Sequence, residues 1–155
     1  MRRHIKKAGI IFFILFISIQ FIPKKYNKSS ITPPSDFMTV FDAPEDIQKI
    51  IKISCYDCHS NNTFYPWYNK VQPVAWFLEG HINDAKEALN LNTFGAYSKR
   101  RQKTKLKSMI SQIMDNEMPL SSYTLMHQDA VISEEEKQLL KDWLTILRAK
   151  LSEAK

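Results

Sequence analysis

Cys55-Tyr56-Asp57-Cys58-His59 decides how this chain is read: it holds both cysteines, with a histidine directly after the second. C-x-x-C-H is the attachment signature of c-type haem. Two thiols add across the two vinyl groups of one porphyrin edge, and two intervening residues supply the span between them. The next residue then carries an imidazole that reaches the iron from the same side of the ring. A proximal histidine is the usual axial ligand of such iron. The rival readings are weaker. A thioredoxin-like redox pair belongs near a βαβ pattern, and none is visible. A structural zinc site wants four closed ligands, and no second C-x-x-C or H-x-x-x-H pair completes one. A plain disulfide leaves His59 unexplained.

Working outward, Ile47, Ile50 and Ile51 stand at helical spacing before the motif, so a helix is expected to run into Cys55. Asp42-Ala43-Pro44-Glu45 resembles a capping box with proline in the first turn, and marks its start. Residues 60–75 carry Phe64, Tyr65, Pro66, Trp67, Tyr68 and Pro73, an aromatic, proline-broken loop. It reads either as a wall against the haem edge, with polar tips for a propionate, or as ordinary small-domain core. Pro73 opens a second helix, with Val74, Phe77, Leu78, His81, Ala85, Ala88 and Leu89 on one stripe. A third starts near Ser98 and carries Leu106, Met109, Ile110, Ile113 and Met114 on one face. A fourth begins at Ser133, whose spacing to Glu136 is a capping box, and turns Leu139, Leu140, Trp143 and Leu147 inward. No strand-period segment or internal repeat is visible. The expected fold class is all-α, a helical domain around one covalent haem.

The chain has 155 residues, enough for one domain and a targeting segment. Arg2, Arg3, Lys6 and Lys7 precede an apolar run from Ala8 to Ile22, closed by Pro23-Lys24-Lys25. Residues 1–25 therefore read as an N-terminal membrane anchor or signal segment. With no small-residue cleavage site after the bulky run, a retained transmembrane helix is the preferred form. Residues 26–41 read as a linker and 42–150 as the helical domain. The formal charge of +6 is carried by the anchor: residues 1–28 hold seven of 22 basic side chains and none of 16 acidic ones. The remainder is near neutral, so no nucleic-acid partner is expected. One basic run stands apart, with six cations between Lys99 and Lys107. It reads as a solvated helix start or as a docking patch for an acidic redox partner.

On the other face of the iron, Met118 is the expected distal ligand. It sits just past a helix and before Pro119, which favours an extended backbone from which a thioether can point at the ring. His127 is the alternative, either as ligand or as a hydrogen-bonding partner. Met109 and Met114 read as core filler, and His81 more ordinarily as a satisfied core imidazole than as a ligand. Methionine opposite histidine raises the potential, whereas an open sixth position permits binding or peroxide chemistry.

The helix leading into C-x-x-C-H, the later Met-Pro and the capped terminal helix resemble class I cytochromes c. Cys55-Tyr-Asp-Cys-His-Ser-Asn-Asn-Thr-Phe-Tyr-Pro-Trp-Tyr68 more closely resembles small bacterial haem-binding domain proteins. So do Pro73-Val-Ala-Trp76, His81, Asn116-Glu-Met-Pro119, Tyr123 and His127, and the likeness covers roughly 38–147. The resemblance implies one covalent haem c on Cys55 and Cys58, His59 as proximal ligand, and Met118 as distal position by analogy with class I cytochromes. It also implies a cytochrome c-like domain in the periplasm, tethered by a single pass to the cytoplasmic membrane. Glycine departs from the class I pattern, being limited to Gly9, Gly80 and Gly95. Ile47, Ile50 and Ile51 would then have to meet Trp143 where a close helix crossing usually lies. The expected function is single-electron transfer with an unidentified redox partner protein and no catalytic residues. A haem-based sensor with a weak or open sixth ligand is the alternative, and peroxidase chemistry stays open.

Overall fold

Local start and stop signals cut the chain into helices, and burial of their apolar faces assembles the domain around the Cys55–His59 turn. A computed structural model describes residues 2–153. Regular structure among them is all helical: α1 (Arg2–Gln20), α2 (Phe37–Phe41), α3 (Glu45–Ser54), α4 (Tyr56–His59), α5 (Val74–Ala88), α6 (Lys99–Met114), α7 (Ser121–Thr124) and α8 (Glu134–Glu153). Single 3₁₀ segments cover Trp67–Lys70, Leu91–Ala96 and Gln128–Ala130.

The core lies where α3, α6 and α8 meet. Ile47 and Ile51 from α3, Leu106 and Ile113 from α6, and Leu140, Leu144 and Leu147 from α8 are buried together. Each such side chain contributes about 1.5–3 kcal/mol on leaving water. Phe37 and Phe94, both fully buried, pack edge to face at 4.9 Å. Trp143 joins them, 5.7 Å from the Phe37 ring, so the isoleucines of α3 and Trp143 do share one cluster. The inward face of α8 is turned from the expected one. Leu139 is 40% exposed and Leu144 is buried in its place.

Two helix starts match the sequence reading. The Ser133 hydroxyl accepts the Glu136 N–H at 3.2 Å while Glu136 accepts the Ser133 N–H at 2.8 Å, a reciprocal capping box. Pro73 directly precedes α5. Asp42 behaves differently. It ends α2 in the left-handed region at φ 44°, and α3 starts after Pro44 without a side-chain cap.

The stretch 26–41, expected as a linker, packs on the domain. Asp36, Phe37 and Met38 are buried, and Asn27 donates to Ser60 O and Thr63 Oγ1, both at 2.8 Å. No helix among the described residues is long and apolar enough to cross a membrane, so the expected N-terminal transmembrane helix is not found. Arg2, Arg3, Lys6 and Lys7 occupy the first turns of α1. Its apolar remainder, Ala8–Gln20, reaches about 20 Å at 1.5 Å per residue, against roughly 30 Å of hydrocarbon. None of its residues is buried, and Phe12 is 72% exposed. Its last residue is tied down: Gln20 exchanges hydrogen bonds with the Gln72 backbone, at 2.9 and 3.1 Å.

Candidate functional site

The helix that enters the motif breaks on its first cysteine. Cys55 N–H still reaches Ile51 O at 2.9 Å, but its backbone (φ −127°) leaves the helix and starts the single turn of α4. Cys58 and His59 N–H groups both return to Cys55 O, at 3.3 and 2.9 Å. Cys55 and His59 thus stand four residues apart on one wall, and Cys58 faces another.

The two residues between the cysteines fasten this turn to the domain. Tyr56 donates its hydroxyl to the buried Asp36 carboxylate at 3.0–3.1 Å. Asp57 accepts the Tyr123 hydroxyl at 2.9 Å and the Phe64 N–H at 3.1 Å. Burial and the neighbouring carboxylates push both tyrosine hydroxyls well above their usual range, so each stays a donor. Sequence reasoning passed over Tyr56 and Asp57 as spacers. Their partners lie 20 and 66 residues away, and no local pattern points to them.

His59 is held from behind. Its Nδ1 lies 3.0 Å from Ala85 O and 2.9 Å from Leu89 O, at the C-terminal end of α5. A carbonyl only accepts, so Nδ1 carries the hydrogen and Nε2 presents a lone pair. Burial lowers the imidazole pKa, against the opposing pull of those carbonyls, and favours the neutral ring a metal needs. A carbonyl on the far nitrogen is the usual support of a metal-bound histidine. The cysteines are free thiols. Burial first, then the neighbouring Cys58, pushes Cys55 up to about 12. Burial and then Asp57 push Cys58 up to about 11.

Two adjoining cavities flank the turn. The larger, about 400 Å³, is lined by Cys55 and His59 on one side and by Met118, Pro119 and Leu120 among its other walls. The smaller, about 300 Å³, is lined by Cys58, Trp67, Tyr68, Tyr123 and Met126 among others. His81 and Leu120 line both. All seven residues of the α5 stripe face these cavities: Val74, Phe77 and Leu78 the smaller, Ala85, Ala88 and Leu89 the larger, and His81 both. The residues α5 buries in protein are Ala75 and Ile82, off that stripe. An apolar helix face that no protein covers is the wall of a ligand site, and these volumes suit a small-molecule pocket.

Met118 and His59 share the larger cavity; Met109 also lines it, while Met114 does not. His81 directs Nδ1 to Phe77 O at 3.0 Å and leaves Nε2 without a hydrogen-bond partner. His127 lines neither cavity. Its Nε2 meets the Tyr68 hydroxyl at 3.0 Å, and its ring stacks on Tyr123 at 4.4 Å. Of the aromatic loop, Trp67 and Tyr68 reach the smaller cavity, whereas Phe64 points to solvent.

Among the described residues, no three His, Cys, Asp or Glu side chains converge on a metal position. A single bare imidazole nitrogen beside an apolar cavity fits a metal carried within an organic ligand. A tetrapyrrole is such a ligand, and its apolar faces suit the α5 stripe. The profile of the haem-binding domain family matches residues 14–146. No curated protein and no solved structure shows significant similarity to the chain.

Proposed function

The chain belongs to the haem-binding domain family and binds haem, and from that premise we propose that it is a membrane-attached, single-haem c-type electron-transfer protein of the periplasm. Cys55 and Cys58 form the thioethers, His59 supplies the proximal ligand and Met118 the distal one. Haem bound here supplies a one-electron couple between ferric and ferrous iron. The observation that carries the reading is the His59 ring, anchored at Nδ1 by Ala85 and Leu89 with Nε2 bare, in the cavity that Met118 also lines. His59 and Met118 would hold the iron of bound haem, and the apolar α5 stripe would exclude water beside it. His127 is the weaker distal candidate because Tyr68 already takes its Nε2. Membrane attachment is supported by α1, most of whose apolar side chains are exposed and whose basic first turns suit lipid headgroups.

Holoprotein made with a cytochrome c maturation system should give low-spin ferric and ferrous spectra, unchanged by carbon monoxide at neutral pH. Met118→Ala should open the sixth position and admit carbon monoxide, and His127→Ala should not. An unchanged spectrum in Met118→Ala removes Met118 as ligand. One observation favours the second reading, a haem sensor with a weak sixth ligand: the smaller cavity beside Cys58 leaves room for a small molecule. Rapid adduct formation by the unmodified protein would select it.

A further inference from the structure

The basic run at the start of α6 has one member that differs from the rest. Lys105 lines the larger cavity, together with Ser108 and Gln112 from the same helix. Their i, i+3, i+7 spacing puts all three on one stripe. The rest of the lining is mainly apolar, with Leu89, Leu91, Met109, Ile113 and Ile132, beside the polar Ser54, His59, His81 and Asp84. A mainly apolar wall that sets an ammonium, a hydroxyl and an amide along one helix matches a ligand that is apolar over its faces and anionic at one edge. Haem is such a molecule: vinyl groups occupy one edge and two propionate carboxylates another. With the vinyl edge held at Cys55 and Cys58, the carboxylates need a separate set of donors.

We propose that Lys105, flanked by Ser108 and Gln112 on α6, holds the haem propionates. The inference rests on the haem occupying the larger cavity. Lys105 has no ion-pair partner among the described residues, where the salt bridge present joins Lys137 and Glu134. The Ser108 hydroxyl accepts only a long contact from Gln112 Nε2, at 3.4 Å, and its own hydrogen is free to donate. An ammonium gives a carboxylate a charge-assisted bond, and hydroxyl and amide donors complete it. Asp84, from α5, also lines the wall and forms no ion pair with Lys105. Neighbouring cations do not serve: Arg101 lies over the Tyr97 ring at 4.1 Å, and Lys107 is not on the wall.

The test compares holoprotein carrying Lys105→Gln, Lys105→Arg or Lys107→Gln with the unmodified chain. Intact mass first reports whether haem is attached, and its absence from all four would remove the reading of the site itself. With haem attached, spectroelectrochemical titration at neutral pH reads the midpoint potential. A cation at the propionates disfavours the ferric state, so Lys105→Gln should lower the potential. Lys105→Arg should restore it, and Lys107→Gln should stay near the unmodified value. Equal shifts for Lys105→Gln and Lys107→Gln, or no shift in either, would overturn the assignment.

Discussion

Asp36→Ala is the substitution that most sharply tests how the motif is held. Asp36 is 2% exposed, and its carboxylate accepts the Met38 N–H at 3.0 Å, the Tyr56 hydroxyl at 3.0–3.1 Å and the Asn92 amide at 2.7 Å. Alanine removes the N-cap of α2, which costs about 1 kcal/mol. It also strands the Tyr56 and Asn92 donors, at about 1–3 kcal/mol each. Losing the expense of a buried charge offsets part of that, and a net of about 3 kcal/mol is expected. For a domain of this size that is a fall in Tm of roughly 10–12 °C. Urea unfolding of holoprotein by far-ultraviolet circular dichroism reads the change, and Tyr56→Phe completes a double-mutant cycle. The pair should couple by about 1 kcal/mol or more. A loss under about 1 kcal/mol in Asp36→Ala, or additive single effects, would refute the idea that this carboxylate anchors the turn.

Gly95→Ala should destabilise by about 1–3 kcal/mol, because a Cβ there falls 2.6 Å from Val40 Cγ2 and 3.0 Å from Ser35 O; the same unfolding assay reads it. Ser133→Ala breaks the reciprocal cap of α8 and should cost about 1 kcal/mol, with Ser133→Thr largely retaining stability. In haem-free protein the half-buried thiols, raised to about 12 and 11, stay protonated near neutral pH. Alkylation by iodoacetamide should therefore be slow at pH 8 and should still be accelerating at pH 10, whereas unfolded protein levels off above its ordinary thiol pKa of about 8.5. The sign for stability follows: the neutral thiols favour the folded form below about pH 8.5, and that contribution fades as pH rises toward the folded values.

What the sequence made legible is what is decided within a few residues. The order of two thiols and an imidazole in Cys55–His59, the Ser133–Glu136 reciprocity and the helix-opening Pro73 are all local chemistry. The α5 stripe was visible as an apolar face, but periodicity does not say what covers a face, and here the cavities lie against it. Asp36 and Phe37 looked like linker because their partners, Tyr56, Asn92 and Phe94, lie far along the chain. Asp42 misled for a related reason: its side chain suits a cap, yet its left-handed backbone serves the end of α2. The apolar run of α1 was also plain, while its usable length fell short of a membrane once its basic turns were set aside.

Covalent attachment at the Cys55–His59 turn is read by acid–acetone extraction of matured protein, followed by intact mass. The pigment should stay with the polypeptide, the mass should rise by one haem, and Cys55→Ala/Cys58→Ala should abolish both. Pigment that extracts completely, or a mass equal to the bare chain, would contradict covalent attachment.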